Sequence, residues 1–338
     1  LKRWLIAISG TCLLFSGCTK AEKKERQPAT AIETPQKEPE NETGQQQVLS
    51  PLTGLPAKQD ANHRVVGVMI NNHPAARPQS GLQKADVVYE VLAEGDITRF
   101  LALYQSEFPE KVGPVRSARD YYIELSKGFD ALYICHGWSP EAKSMLEAGG
   151  TDYLNGLFYD GTLFKRASFR KAPHNSYITF ANIEKGAKEK GYSLEETVEA
   201  LPFFKNEAQS EPAEQVDISY SKRSYAHVQY QYISDKKGYI RYSGGEQTID
   251  YDTHDPILVQ NVFIVAAVHT IADEYGRRDI DLTSGGDGYL FQNGTVKRVE
   301  WKNVNGRLLP YDHGVPVGFT PGKTWINVVP SLDMVQYR

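Results

Sequence analysis

Gly113-Pro114-Val115-Arg116-Ser117-Ala118-Arg119-Asp120 is the stretch on which the reading of the chain's first half turns. Proline suits the first position of a helix. Val115, Ala118, Tyr122, Leu125 and Phe129 follow at spacings of three and four, which predicts a helix from Pro114 with one buried stripe. Arg116 and Arg119 then lie in its first two turns. A helix N-terminus carries unpaired N–H groups and roughly +0.5 of an elementary charge, so two cations there require a facing anion. That anion is either a carboxylate of the protein or a ligand, and the residues leave both open. Asp120, four positions after Arg116, is one internal candidate.

Working outward, residues 65–70 read as a buried strand closed by the turn Asn71-Asn72-His73-Pro74. Ser80 and Gln83 fit a capping box for a short helix. Residues 86–92 and 97–104 form a predicted hairpin across Glu94-Gly95-Asp96. Side chains alternate along a strand, so Glu90 shares a face with Val88 and Leu92, and Arg99 shares one with Leu101 and Leu103. A turn centred on Glu94-Gly95 sets Glu90 opposite Arg99; a loop one residue different is read as leaving them diagonal. Either way Glu90 is an expected structural partner for Arg99. Beyond the arginines come a strand over 131–135, a helix capped by Ser139 and begun by Pro140, a helix over 181–190 stopped by Gly191, and a helix over 194–200 with Ser193 and Glu196 as its capping box.

Composition then sets the boundaries. The 338 residues are 40% hydrophobic and 24% charged, enough for two cores. Residues 1–17 read as an export signal, with Lys2 and Arg3 before an apolar run. Net charge is −4, and −6 without Lys2 and Arg3. Leu14-Phe15-Ser16-Gly17-Cys18 resembles a bacterial lipobox, which makes Cys18 the expected lipidation site and the membrane a partner. Residues 18–47, rich in Lys, Glu, Gln and Pro, have the composition of a disordered tether. Cys12 leaves with the signal and Cys18 takes lipid, so Cys135 remains alone, read as a small buried hydrophobe. The fold class expected is α+β: a mixed α/β domain over 48–205, a linker over 206–215, and a smaller, mainly antiparallel β domain over 216–338. Hairpin signals at Asn293-Gly294 and Asn305-Gly306 and a type II turn at Pro321-Gly322 support the second domain.

The candidate ligand-binding residues are Arg99, Arg116 and Arg119, with His136 and Trp138 between a strand end and a helix, a common ligand position in open α/β sheets. His174 and Asn175 join them from the cationic loop that begins at Lys165-Arg166, whose closure over the arginines makes a positive cleft. No serine-hydrolase elbow is present, because Gly-x-Ser-x-Gly is missing and Pro140 deletes a needed N–H. Residues 250–255 alternate oxygen ligands but lack the glycine and glutamate of an EF-hand. No P-loop, dinucleotide fingerprint, zinc spacing or aromatic-interleaved basic run occurs, so no cofactor, metal or nucleic acid is expected. No catalytic residue is assigned.

Taken together, Glu90 with Gly95, Thr98-Arg99-Phe100, the Gly113 to Arg119 stretch and Gly137-Trp138-Ser139 resemble the YerB-type lipoproteins of Gram-positive bacteria. Phe319-Thr320-Pro321-Gly322-Lys323-Thr324-Trp325-Ile326 is similar to that family's second domain. The resemblance implies a two-domain extracytoplasmic lipoprotein on the outer face of the cytoplasmic membrane, with a poorly defined function. Ala85-Asp86-Val87-Val88 followed by Pro114-Val115-Arg116 is similar in layout to LytR-type polyprenyl-phosphate phosphotransferases. Their Arg-Asp-Thr signature is broken here by Tyr121. The function expected is binding of an anionic envelope component or partner at an arginine-lined cleft. The alternatives are an enzyme acting on phosphorylated cell-wall lipid or glycan, and a structural adaptor between envelope proteins.

Overall fold

A computed structural model describes residues 47–57, 61–204 and 210–338. The expected signal peptide, Cys18 and the tether up to residue 46 lie outside the described residues. In the first half the elements are β1 (Val66–Asn71), β2 (Val87–Leu92), β3 (Thr98–Tyr104), α1 (Asp120–Lys127), β4 (Leu132–Cys135), α2 (Pro140–Glu147), β5 (Tyr153–Asn155), α3 (Gly156–Tyr159) and α4 (Phe180–Lys190). The second half supplies β6 (Gln215–Ser219), β7 (His227–Ile233), β8 (Gly238–Ser243), β9 (Asn261–Ala266), β10 (Gly286–Gln292), β11 (Thr295–Val304), β12 (Arg307–Asp312) and β13 (Thr324–Val329). Ser139 and Gly191 act as read from sequence: Ser139 Oγ accepts from Ala142 N at 3.2 Å, and Gly191 ends α4 in the left-handed region.

The α+β class holds, and the two halves share one sheet. From one edge its strands run Val315–Pro316, β12, β11, β10, β9, β13, β2, β3, β1, β4, β5, with Glu211–Pro212 added to β11. The join is β13, which pairs in parallel with β9 on one side and with β2 on the other. Strands β2 and β3 are buried along their whole length, which explains their near-continuous Val, Leu, Tyr and Phe content. One face of the sheet, with Val88, Leu92, Phe100 and Trp325, packs on α4 and on a second antiparallel sheet of β8, β7 and β6. The other face, with Tyr89, Val91, Leu101 and Ile326, packs on α1 and α2. Cys135 is buried there, and burial pushes its thiol pKa up.

Two helix expectations fail. Residues 113–119 are extended, and α1 begins only at Asp120 with Arg119 as its N-cap residue. The backbone of this segment is engaged elsewhere: Asn71 N donates to Pro114 O, Val115 N to Ser176 O, Arg116 N to Met69 O and Ala118 N to Gly137 O. These cross-links outweigh the local preference of Pro114 for a helix start. Residues 194–200 are likewise extended, held by Arg64 N to Leu194 O, Glu196 N to Asn62 O and Leu201 N to Pro51 O.

One half-buried imidazole makes stability depend on pH. His269 opens the hairpin His269–Ile271 with Arg278–Ile280, and neither ring nitrogen has a hydrogen-bond partner among the described residues. Burial, aided by Arg278, lowers its pKa to about 4. The unfolded chain takes this proton at about pH 6.5, so the contribution is complete above that pH and lost as pH falls toward 4. Between pH 7 and 5, chemical denaturation should show the wild type losing about 1–2 kcal/mol more than His269→Phe. Equal losses in the two proteins would remove His269 from the account.

Candidate functional site

The parallel strands β1, β4 and β5 end side by side, and the loops leaving their carboxyl ends converge. These loops are Asn71-Asn72-His73, His136-Gly137-Trp138 and Asn155-Gly156. The extended 113–119 segment crosses in front of them, with Arg116 N bonded to Met69 O in β1 and His136 N bonded to Arg116 O. Arg116 is thus fixed, by its backbone, at the crevice where open α/β sheets hold ligands.

Its neighbours are imidazoles. His73 and His174 stack at 4.5 Å with 21° between their planes, and His174 Nδ1 lies 2.9 Å from Asn71 Nδ2. His136 Nδ1 lies 2.7 Å from Ser176 Oγ, and His136 Nε2 lies 3.0 Å from Arg166 Nη2. All three have pKa values below the ordinary 6.5, so they are mainly neutral at pH 7. Burial is the first cause in each, followed by Arg116 for His73, by His73 and then Arg116 for His174, and by Arg166 for His136, where Arg116 adds further. Gly156 lets His136 lie against the backbone, since a Cβ at that residue would fall 2.2 Å from His136 Nδ1.

The guanidinium of Arg116 has no hydrogen bond or ion pair among the described residues, although the residue is half-buried. The other two arginines are held together by a carboxylate that the sequence reading treated only as a turn residue. Glu94 binds Arg99 through Oε2 and Arg119 through Oε1, with Arg119 Nε at 2.7 Å. Arg99 Nη1 also donates to Ser117 O at 2.9 Å. Burial pushes the Glu94 carboxyl up, but Arg99 and Arg119 outweigh it and hold its pKa below the usual range. Three cations therefore share one carboxylate, and the unshared charge is on Arg116.

The expected partners are corrected accordingly. The hairpin loop is Glu94-Gly95-Asp96, with Ala93 N bonded to Ile97 O, so Glu90 faces Phe100 and Arg99 faces Val91. A shift of one residue in register puts Glu90 and Arg99 on opposite faces of the sheet instead of leaving them diagonal. Glu90 instead meets Arg241 of β8, whose Nη2 lies 3.0 and 2.9 Å from its two oxygens, with both side chains fully buried. Thr98 Oγ1, Asn72 Nδ2 and Trp325 Nε1 also donate to Glu90. Asp120 makes no ion pair with Arg116; burial raises its pKa. It lies with Arg119, Glu141, Arg277 and Asp279 around a cleft of about 230 Å³ whose charges are mixed.

Of the other candidates, Asn175 accepts from Arg166 at 3.2 Å, beside His136. Arg166 is itself paired with Asp160 at 2.8 Å. Trp138 packs edge-on against Tyr153 and Phe158. Sequence reading missed His73, although its place in the turn after β1 was a usable signal. It also missed Glu94, which sits only five residues before Arg99 in a hairpin loop. No group of three or more His, Cys, Asp or Glu residues suited to a metal occurs among the described residues. No helix among them is long and apolar enough to cross a membrane.

Two sequence families of unknown function match the chain, the DUF3048 N-terminal domain over residues 52–193 and the DUF3048 C-terminal domain over 216–326. YerB of Bacillus subtilis (strain 168), provisionally named a lipoprotein, is 47% identical over 338 residues, covering 98% of this chain and 97% of that protein. The crystal structure of YerB from Bacillus subtilis superposes with a TM-score of 0.82 at 51% identity, covering 86% of this chain and 99% of the other.

Proposed function

The chain belongs to the DUF3048 family, and from its likeness to YerB and the geometry of the crevice we propose that it is a lipoprotein held to the outer face of the cytoplasmic membrane through Cys18, whose Arg116 crevice binds an anionic group of the cell envelope. The carrying observation is the half-buried, unpaired guanidinium of Arg116 beside three imidazoles at the carboxyl ends of parallel strands. A phosphate or carboxylate at Arg116 gains a forked, charge-assisted contact. Neutral His73 and His174, whose Nδ1 atoms accept from Ala75 N and Asn71 Nδ2, keep an Nε2–H donor without adding charge, whereas both ring nitrogens of His136 are engaged by Ser176 and Arg166. Bound anion in turn favours the protonated imidazoles.

The test uses protein starting at residue 47, titrated calorimetrically with a short-chain polyprenyl phosphate and with phosphate-rich wall polymer. Arg116→Ala should weaken binding about 10- to 100-fold, the worth of one hydrogen-bonded charge, while the melting temperature stays within a degree or two. Binding that is equal in the two proteins sinks the reading, and turnover of the polyprenyl probe would mark the crevice as catalytic. The anchor has its own readout. Labelled palmitate should enter the full chain and be absent from Cys18→Ala, and persistent label would place the lipid elsewhere.

A further inference from the structure

A second cavity, of about 290 Å³, lies where the turn after β1 meets the β7–β8 side of the second sheet. Its walls include Arg77, Gln79, Arg241, Ser243 and Thr248, and none of Arg116, His136 or His174. Three buried polar atoms in these walls have no hydrogen-bond partner among the described residues: Gln79 Oε1, Ser243 Oγ and Arg241 Nε. Gln79 and Ser243 are 1% and 6% exposed. An unpaired buried polar group is costly, and three around one cavity mark a place built for something polar.

The charges in the walls say what that is. Among the described residues Arg77 makes no ion pair with a carboxylate; it donates to Asn72 O, Asn72 Oδ1 and Tyr225 O. Burial and then Arg241 lower its pKa to about 10, while Glu90 and Glu246 act in the opposite direction. Arg241 is paired with Glu90 and lies beside Tyr230; Glu246, which also lines the cavity, attracts Arg77 across space but forms no ion pair with it among the described residues, so no carboxylate is in contact with the Arg77 guanidinium. Gln79 Oε1, in contrast, needs a donor, because the amide nitrogen of the same side chain is already used on Asn71 O and Asn72 Oδ1. The occupant must therefore present an anion at one end and an O–H or N–H at the other.

We propose that this cavity binds a small carboxylic acid that also carries a hydroxyl or amino group, with its carboxylate against Arg77 and its donor against Gln79. The volume lies at the lower limit of small-molecule sites, which admits an amino acid or a sugar acid and no polymer. The site stands apart from the Arg116 reading and does not depend on it.

The experiment follows the melting temperature and calorimetric binding of the full chain in detergent with alanine, glucuronate, acetate and inorganic phosphate. Alanine or glucuronate, the two possible sources of the same chemistry, should bind and raise the melting temperature. Acetate, lacking the donor group, should bind at least tenfold more weakly. Arg77→Gln should weaken the effective acid at least tenfold. Ser243→Leu, which fills the cavity, should abolish binding and so keeps the test valid if the arginine variant folds poorly. The proposal is overturned if neither acid binds, if acetate matches them, or if both variants, folded by circular dichroism, bind like the wild type; any of these leaves a cavity that holds water only.

Discussion

Glu90→Gln is expected to cost about 3–5 kcal/mol in urea denaturation, a large share of the stability of an ordinary protein. Both partners of this pair are fully buried, so removing one charge leaves the other without solvent or counter-ion. Arg241 would keep Thr248 Oγ1 at 2.8 Å and the rings of Phe100 and Trp325 at 5.3 and 4.8 Å, none of which carries a negative charge. Arg77 nearby adds repulsion. A buried pair is not in itself strongly stabilising, because desolvation offsets most of its attraction. The double variant Glu90→Gln, Arg241→Met, which removes both charges and keeps an amide oxygen for the donors Thr98, Asn72 and Trp325, should therefore recover part of the loss. A single-variant loss under about 1 kcal/mol would mean that water reaches the pair.

The second large effect concerns the division of the chain. Residues 47–204 and 210–338, produced separately, should each fail to give a cooperative melting transition, whereas the full chain should unfold in one step with equal calorimetric and van't Hoff enthalpies. Without the second half, β2 loses the partner strand β13, and Glu90 loses Arg241. Without the first half, β13 has an open edge where β2 should be, a surface prone to wrong pairing. Mixing the two fragments should restore native circular dichroism. A sharp independent transition in either fragment would refute the coupling.

The strands were legible because Val, Ile, Leu and Tyr concentrate where both sheet faces are covered, and the ends of α2 and α4 because Ser139 and Gly191 act locally. What was not legible rests on distant partners. Nothing within residues 113–119 discloses that Met69, Gly137 and Ser176 take up their backbone bonds. The register of β2 on β3 turned on one residue in the Glu94-Gly95-Asp96 loop, and with it the partner of every charge on the hairpin. Likewise the union of the halves depends on β13 pairing with strands far from it in sequence, a relation without local signature. At the site, nothing in the sequence separates Arg116 from Arg99 and Arg119 or sets Asp120 aside as its partner, because the carboxylate that ties Arg99 to Arg119 belongs to a hairpin loop whose fold brings it there.

The position of β13 also governs when the molecule can form. The middle of the sheet is closed by a strand from near the end of the chain, so Thr324 to Val329 must emerge before Val87 to Val91 can gain their second neighbour. Such non-local parallel pairing slows folding, since loop closure precedes any reward from contact. A nascent chain therefore stays without its central pairing until synthesis is almost complete. In any protein exported through a membrane, a delay of this kind keeps the polypeptide threadable until its last strands have crossed.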